Sequence, residues 1–80
     1  MRNVTLALAG LILLPASALA QPPADAMPLS EILASIENEA DFSYFDEIDW
    51  DDDGHWEIEY YRADGASVEV DADPVSGQRR

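Results

Sequence analysis

Apolar positions along this chain follow three successive patterns, and each points to a different kind of segment. Leu6 to Leu14 is an apolar run broken only by Gly10. From Leu29 the spacing becomes three and four, which puts Leu29, Ile32, Leu33, Ile36 and Ala40 on one face of a helix. After Asp41 the period falls to two: Phe42, Tyr44, Ile48 and Trp50 share a parity, then Trp56, Ile58 and Tyr60, then Ala66, Val68 and Val70. Turn-forming clusters separate these runs at Asp51-Asp52-Asp53-Gly54 and at Ala63-Asp64-Gly65. The spacing predicts a helix from about Ser30 to Glu39, with Ser30 as N-cap, Glu31 on the favourable side of the helix dipole and Asn38 as the stop. Three antiparallel strands in a meander follow it. Phe45 breaks the first strand's alternation, so that strand begins there or carries a bulge nearby.

Register follows from keeping the apolar side chains together, because a slip of one residue turns all of them to the other face. A two-residue Asp64-Gly65 turn would oppose Tyr61 to Val68 and mix the faces. A three-residue loop, Ala63-Asp64-Gly65 with Gly65 in the left-handed region, pairs Arg62 with Ala66, Tyr60 with Val68 and Ile58 with Val70. The same reasoning opposes Trp50 to Trp56 and Ile48 to Ile58 across a loop from Asp51 to His55. One sheet face then carries Ile48, Trp50, Trp56, Ile58, Tyr60, Val68 and Val70, and the helix stripe is the apolar surface that covers it. The expected architecture is α+β, one N-terminal helix packed on a three-stranded antiparallel meander. On the opposite face Glu47, Glu59 and Glu69 fall in one row and Asp49, Glu57 and Asp71 in another. Like charges opposed on neighbouring strands disfavour pairing, so these two rows are a costly way to build an ordinary surface.

Composition separates the first twenty residues from the rest. Met1-Arg2, the apolar run, Pro15 and then Ala18-Leu19-Ala20 have the order of a signal peptide with its small-residue cleavage site. The run falls short of the roughly 20 apolar residues a spanning helix needs. Residues 1–20 are therefore read as a signal peptide, 21–27 as a flexible leader with two prolines, 28–77 as the domain and 78–80 as a tail, either frayed or a basic hook. The protein is expected to be exported, to the periplasm or the medium. After cleavage Arg62, Arg79 and Arg80 stand against all 17 acidic residues of the 80-residue chain. Such a balance excludes nucleic acid and anionic membrane as partners, and favours cations or a basic protein surface. With no cysteine no disulfide offsets the small core.

Gly54-His55-Trp56-Glu57-Ile58-Glu59-Tyr60, Asp64-Gly65, Val68-Glu69-Val70-Asp71 and Asp73-Pro74-Val75-Ser76-Gly77 together resemble the PepSY domain. That family runs a Y-x-V-x-V strand through a DG turn into a V-x-V-D strand ending in D-x-x-T-G. Leu29-Ser30-Glu31-Ile32 matches its helix opening, so the resemblance covers about Pro28 to Gly77. Trp56 and Tyr60 stand where the family is often aliphatic, and Ser76 replaces the commoner threonine. The resemblance implies an exported, non-catalytic module proposed to inhibit or restrain peptidases, with no active site to carry over.

Chemistry elsewhere in the sequence is sparse. His55 is the one histidine, so a Cys-His pair is impossible, and a core this small leaves little room to separate carboxylate pKa values in a dry cleft. No catalytic residue is assigned. Glu47, Glu57, Glu59, Tyr61, Glu69 and Asp71 are the candidate partner-binding residues, the partner being a protein such as a peptidase. Asp49-Trp50-Asp51-Asp52-Asp53-Gly54 opens like an EF-hand loop, but Tyr60 occupies its twelfth position and strands flank it. A weak calcium site at Asp49, Asp51, Asp53 and Glu57 is the alternative; no other cofactor is expected. His55 and Glu57 share a strand face, yet one imidazole with carboxylates is a poor zinc set, and His55 is expected to be exposed. Trp50, Trp56 and Tyr60 are assigned to the core, whereas Tyr44 and Phe45 are candidate partner anchors.

Overall fold

The computed structural model describes residues 20–80, and the expected signal peptide lies outside them except for Ala20. The order is α1 (Leu29–Glu37), β1 (Phe42–Asp51), β2 (His55–Arg62) and β3 (Ser67–Ala72), with the strands antiparallel in the order β1-β2-β3. This is the expected α+β meander. The helix is N-terminal only with respect to the sheet, since it sits mid-chain.

Helix α1 begins one residue earlier than its polar pattern suggests. Pro28, not Ser30, is the N-cap, and no side chain caps the helix. The Pro28 carbonyl instead accepts from the N–H groups of Glu31 (2.9 Å) and Ile32 (3.4 Å), while the chain entering the helix is held by the Met27 N–H donating to Pro74 O at 2.8 Å. That last bond, with Met27 packed against the core, anchors the end of the segment 21–27 read as a flexible leader. Asn38 closes the helix, its N–H donating to Ala34 O at 3.1 Å. Ile32 and Ile36 are buried and Leu29 and Leu33 pack beside them, but Ala40 lies beyond the helix end and is exposed.

Pairing between strands is the register that core segregation demands. Ile48 opposes Ile58 and Trp50 opposes Trp56, while Tyr60 opposes Val68 and Ile58 opposes Val70. Gly65 has φ +90 in a loop closed by the Arg62 N–H donating to Ala66 O at 2.9 Å. The first hairpin is tighter than expected, because Asp51 still pairs with His55. Strand β1 carries two irregularities, between Phe42 and Tyr44 and between Phe45 and Glu47. Each inserts one residue against β2, so Phe42 and Phe45 join the side of Ile48 while Tyr44 is turned out. Phe45 is therefore a core residue rather than a partner anchor, with its ring 4.7 Å from that of Phe42.

Ile58, Tyr60, Val70 and Ala72 of the sheet meet Ile32 and Ile36 of α1 to form the buried core. The C-terminal tail is a hook. Ala72 bridges to Arg79, and the Arg80 N–H donates to Asp71 O at 2.9 Å, so the outer edge of β3 is partly occupied. Arg79 also pairs with Glu39, whose other oxygen accepts from the Tyr60 hydroxyl at 2.8 Å. The Asp73-Pro74-Val75-Ser76-Gly77 motif owes its shape to Asp73, whose carboxylate accepts from the N–H groups of Val75 (3.1 Å) and Ser76 (2.8 Å).

Candidate functional site

Burying one sheet face under α1 sends every alternate residue to the other side, and that side is acidic. Glu47, Glu59 and Glu69 stand in one register row and Asp49, Glu57 and Asp71 in the next. Both rows are the expected ones. Beside them the first bulge pairs Tyr44 with Tyr61, and their rings stack with centroids 5.1 Å apart and planes at 29°. Tyr44 remains 57% exposed, which makes this pair the apolar end of an otherwise charged strip. At the far end the last pair is Asp51 and His55. All six proposed partner-binding residues, Glu47, Glu57, Glu59, Tyr61, Glu69 and Asp71, are thus brought onto one face.

Crowding shifts the acidity of the rows. Glu47 is raised above the ordinary carboxylate range, chiefly by sharing a hydrogen bond with Asp49 and by that residue's charge. Glu59 is raised chiefly by a hydrogen bond with Asp46. Partial loss of hydration raises Glu57, helped by the charges of Asp51, Asp71 and Glu69. Asp51 moves the opposite way because its carboxylate accepts from the Asp53 N–H at 3.2 Å. Asp46 also raises the Tyr61 hydroxyl, so it belongs electrostatically to the face. The strand parity missed Asp46, and its signal in the sequence was the broken alternation at Phe45, since the bulge after Phe45 is what re-aims it.

His55 is the larger surprise. It is 8% exposed, not a surface residue, because the tight first hairpin draws it into the ladder opposite Asp51. Its Nε2 lies 3.4 Å from Asp51 Oδ2, 3.6 Å from Glu57 Oε2 and 3.8 Å from Asp71 Oδ1. Neither ring nitrogen has a hydrogen-bond partner among the described residues. Of the residues proposed for calcium, Asp51 and Glu57 fall together with His55, and Asp51 and Asp53 fall together with Asp52; within each group the ligand atoms lie within 4.8 Å of one another. Asp49 joins neither group.

Taken together, a helix on one face of a three-stranded antiparallel sheet and a carboxylate array on the other define a small α+β module. The chain belongs to the peptidase propeptide and YPEB domain family, whose sequence profile matches residues 4–79. The PepSY resemblance in its strand and turn motifs is therefore borne out. Neither the curated proteins nor the solved structures hold a significant match to it. Among the described residues no helix is long and apolar enough to cross a membrane.

Proposed function

We propose that this protein is an exported, non-catalytic binding module that restrains a peptidase, and that it meets its partner through the acidic face of the sheet. One observation carries the reading: six carboxylates are held in register across all three strands on the face opposite the core, in a chain of a peptidase propeptide family. Opposed like charges cost the fold stability that a bound counter-charge would restore. A basic surface on the partner would neutralise both rows, and the stacked Tyr44 and Tyr61 would supply the apolar contact that charges alone lack. The signal-peptide pattern of residues 1–20 supports export to the periplasm or the medium, with the mature chain beginning at Gln21.

Peptidases secreted by the same cells, mixed with the purified protein, provide the test. A stoichiometric complex at micromolar concentration with slowed substrate cleavage is expected, and the absence of any stable complex contradicts the proposal. A second reading, weak calcium binding at the hairpin tip, is favoured by the convergence of Asp51, Asp52 and Asp53. It requires calcium to raise the melting temperature more than sodium at matched ionic strength.

A further inference from the structure

The cluster around His55 has features that the acidic face does not require. An imidazole inside the strand ladder, 8% exposed and with both nitrogens unpartnered among the described residues, gives up its hydration without a hydrogen bond in return. Its Nε2 is nevertheless aimed at carboxylates from three separate segments: the end of β1, β2 and β3. The separations of 3.4, 3.6 and 3.8 Å exceed the roughly 2.7–3.2 Å of a hydrogen bond. The first equals, and the second comes near, the spacing of two ligands on one metal ion. With bonds of about 2.0–2.1 Å to nitrogen and 2.0–2.2 Å to oxygen at tetrahedral angles, nitrogen and oxygen ligands of one metal ion stand about 3.4 Å apart.

We infer that His55 Nε2, Asp51 and Glu57 form a binding site for a first-row divalent transition-metal ion, with Asp71 placed to hold a metal-bound water as fourth ligand. The ligand atoms of the first three already lie within 4.8 Å of one another, so the site needs only small side-chain movement. One imidazole among carboxylates is a poor set for structural zinc, but its burial beside them supplies a nitrogen donor that first-row transition ions accept more readily than calcium or magnesium, which prefer oxygen. The carboxylates remain partly exposed, with side chains 27% (Asp51) and 41% (Glu57) accessible, which leaves an entry path from solvent to the buried nitrogen. A bound cation would tie the first hairpin to β3 and cancel repulsion within the Asp49, Glu57 and Asp71 row. This differs from the calcium reading in its donor set, and it does not depend on a peptidase partner.

The chain's single histidine makes the test direct. Purified, tag-free protein is titrated with Zn²⁺ alone while the His55 ring resonances are followed by NMR, with Ca²⁺ at the same concentrations as comparison. Zn²⁺ is expected to shift those resonances to a saturating one-to-one endpoint and Ca²⁺ to leave them near their starting positions. Affinity should fall in His55→Gln, Asp51→Asn and Glu57→Gln by at least the roughly 10- to 100-fold that loss of a mere supporting partner costs a metal site. Glu37→Gln, which removes one charge from the exposed face of α1, should bind as the native chain does. Ring resonances that respond to Zn²⁺ no more than to Ca²⁺, or a His55→Gln protein that keeps native affinity, overturn the site and leave only an ion atmosphere. Should His55→Gln fail to fold, the titration of the native protein decides by itself.

Discussion

At the scale of the residue, two contacts near the C-terminus hold together parts distant in sequence. Gly77 has φ +74, and a Cβ there would stand 2.8 Å from Met27 Sδ. Gly77→Ala therefore meets both a left-handed backbone penalty of roughly 1–2 kcal/mol and the anchor of the leader, although the flexible methionine end can give way. Gly65→Ala at φ +90 has nothing within 4 Å and meets the backbone penalty alone. Denaturant titration should rank Gly77→Ala as the more destabilised of the two. The second contact is the Tyr60 hydroxyl, which donates to Glu39 in the same small network as Arg79. Tyr60→Phe keeps the buried ring and removes the bond, so it should cost about 0.5–1.5 kcal/mol. If stability is unchanged, the network contributes nothing to holding the tail. Neither contact was visible in the sequence: both join residues far apart in the chain, and no local pattern reports such a meeting.

At the scale of the element, the meander was legible because its apolar residues can share one face in only one register, and the structure keeps that register in both hairpins. The acidic rows came with it, as the other parity of the same pairing. Where local pattern failed, a specific competing force explains it. Bulges in β1 broke the parity there, turning Phe45 in beside Phe42 and leaving Tyr44 alone of the two outside the core. A shorter loop buried His55, and Pro28 displaced Ser30 as the cap once Met27 was tied to Pro74.

Crowding of the rows makes a prediction about pH. Glu47, Glu57 and Glu59 are raised in the folded protein from an ordinary value of 4.5. The folded chain then holds protons that the unfolded chain has released, so their contribution is full below 4.5 and is lost as pH rises through the folded values. Asp51, Asp64 and Asp73 are lowered from 3.8 by backbone hydrogen bonds, and their contribution is lost as pH falls below that value. In EDTA the melting temperature should therefore rise as pH falls from neutral toward 4.5 and decline again below 3.8. A melting temperature that falls steadily from neutral pH downward would show that the rows are not strained.

At the scale of the whole molecule, the formal charge of −13 is spread over helix, loops and sheet, and the face opposite the core carries its two ordered rows of carboxylates. A small domain with this asymmetry suits association with a basic surface, steered electrostatically and weakened by salt. The family of the chain was legible in short turn motifs such as Asp64-Gly65 and Asp73 to Gly77, whose residues are fixed by backbone geometry. The partner was not, because recognition depends on a complementary surface that this sequence does not contain.

The proposed role makes the acidic face the place where a peptidase is held. Its most direct test compares the native protein with Glu47→Gln/Glu59→Gln/Glu69→Gln, which neutralises one full row while leaving the core untouched, in binding and inhibition of the peptidases secreted by the same cells. Micromolar or tighter binding by the native protein, weakened by salt and reduced in the triple variant at unchanged fold, is the predicted result. Equal binding by both proteins, or binding by neither, would contradict it.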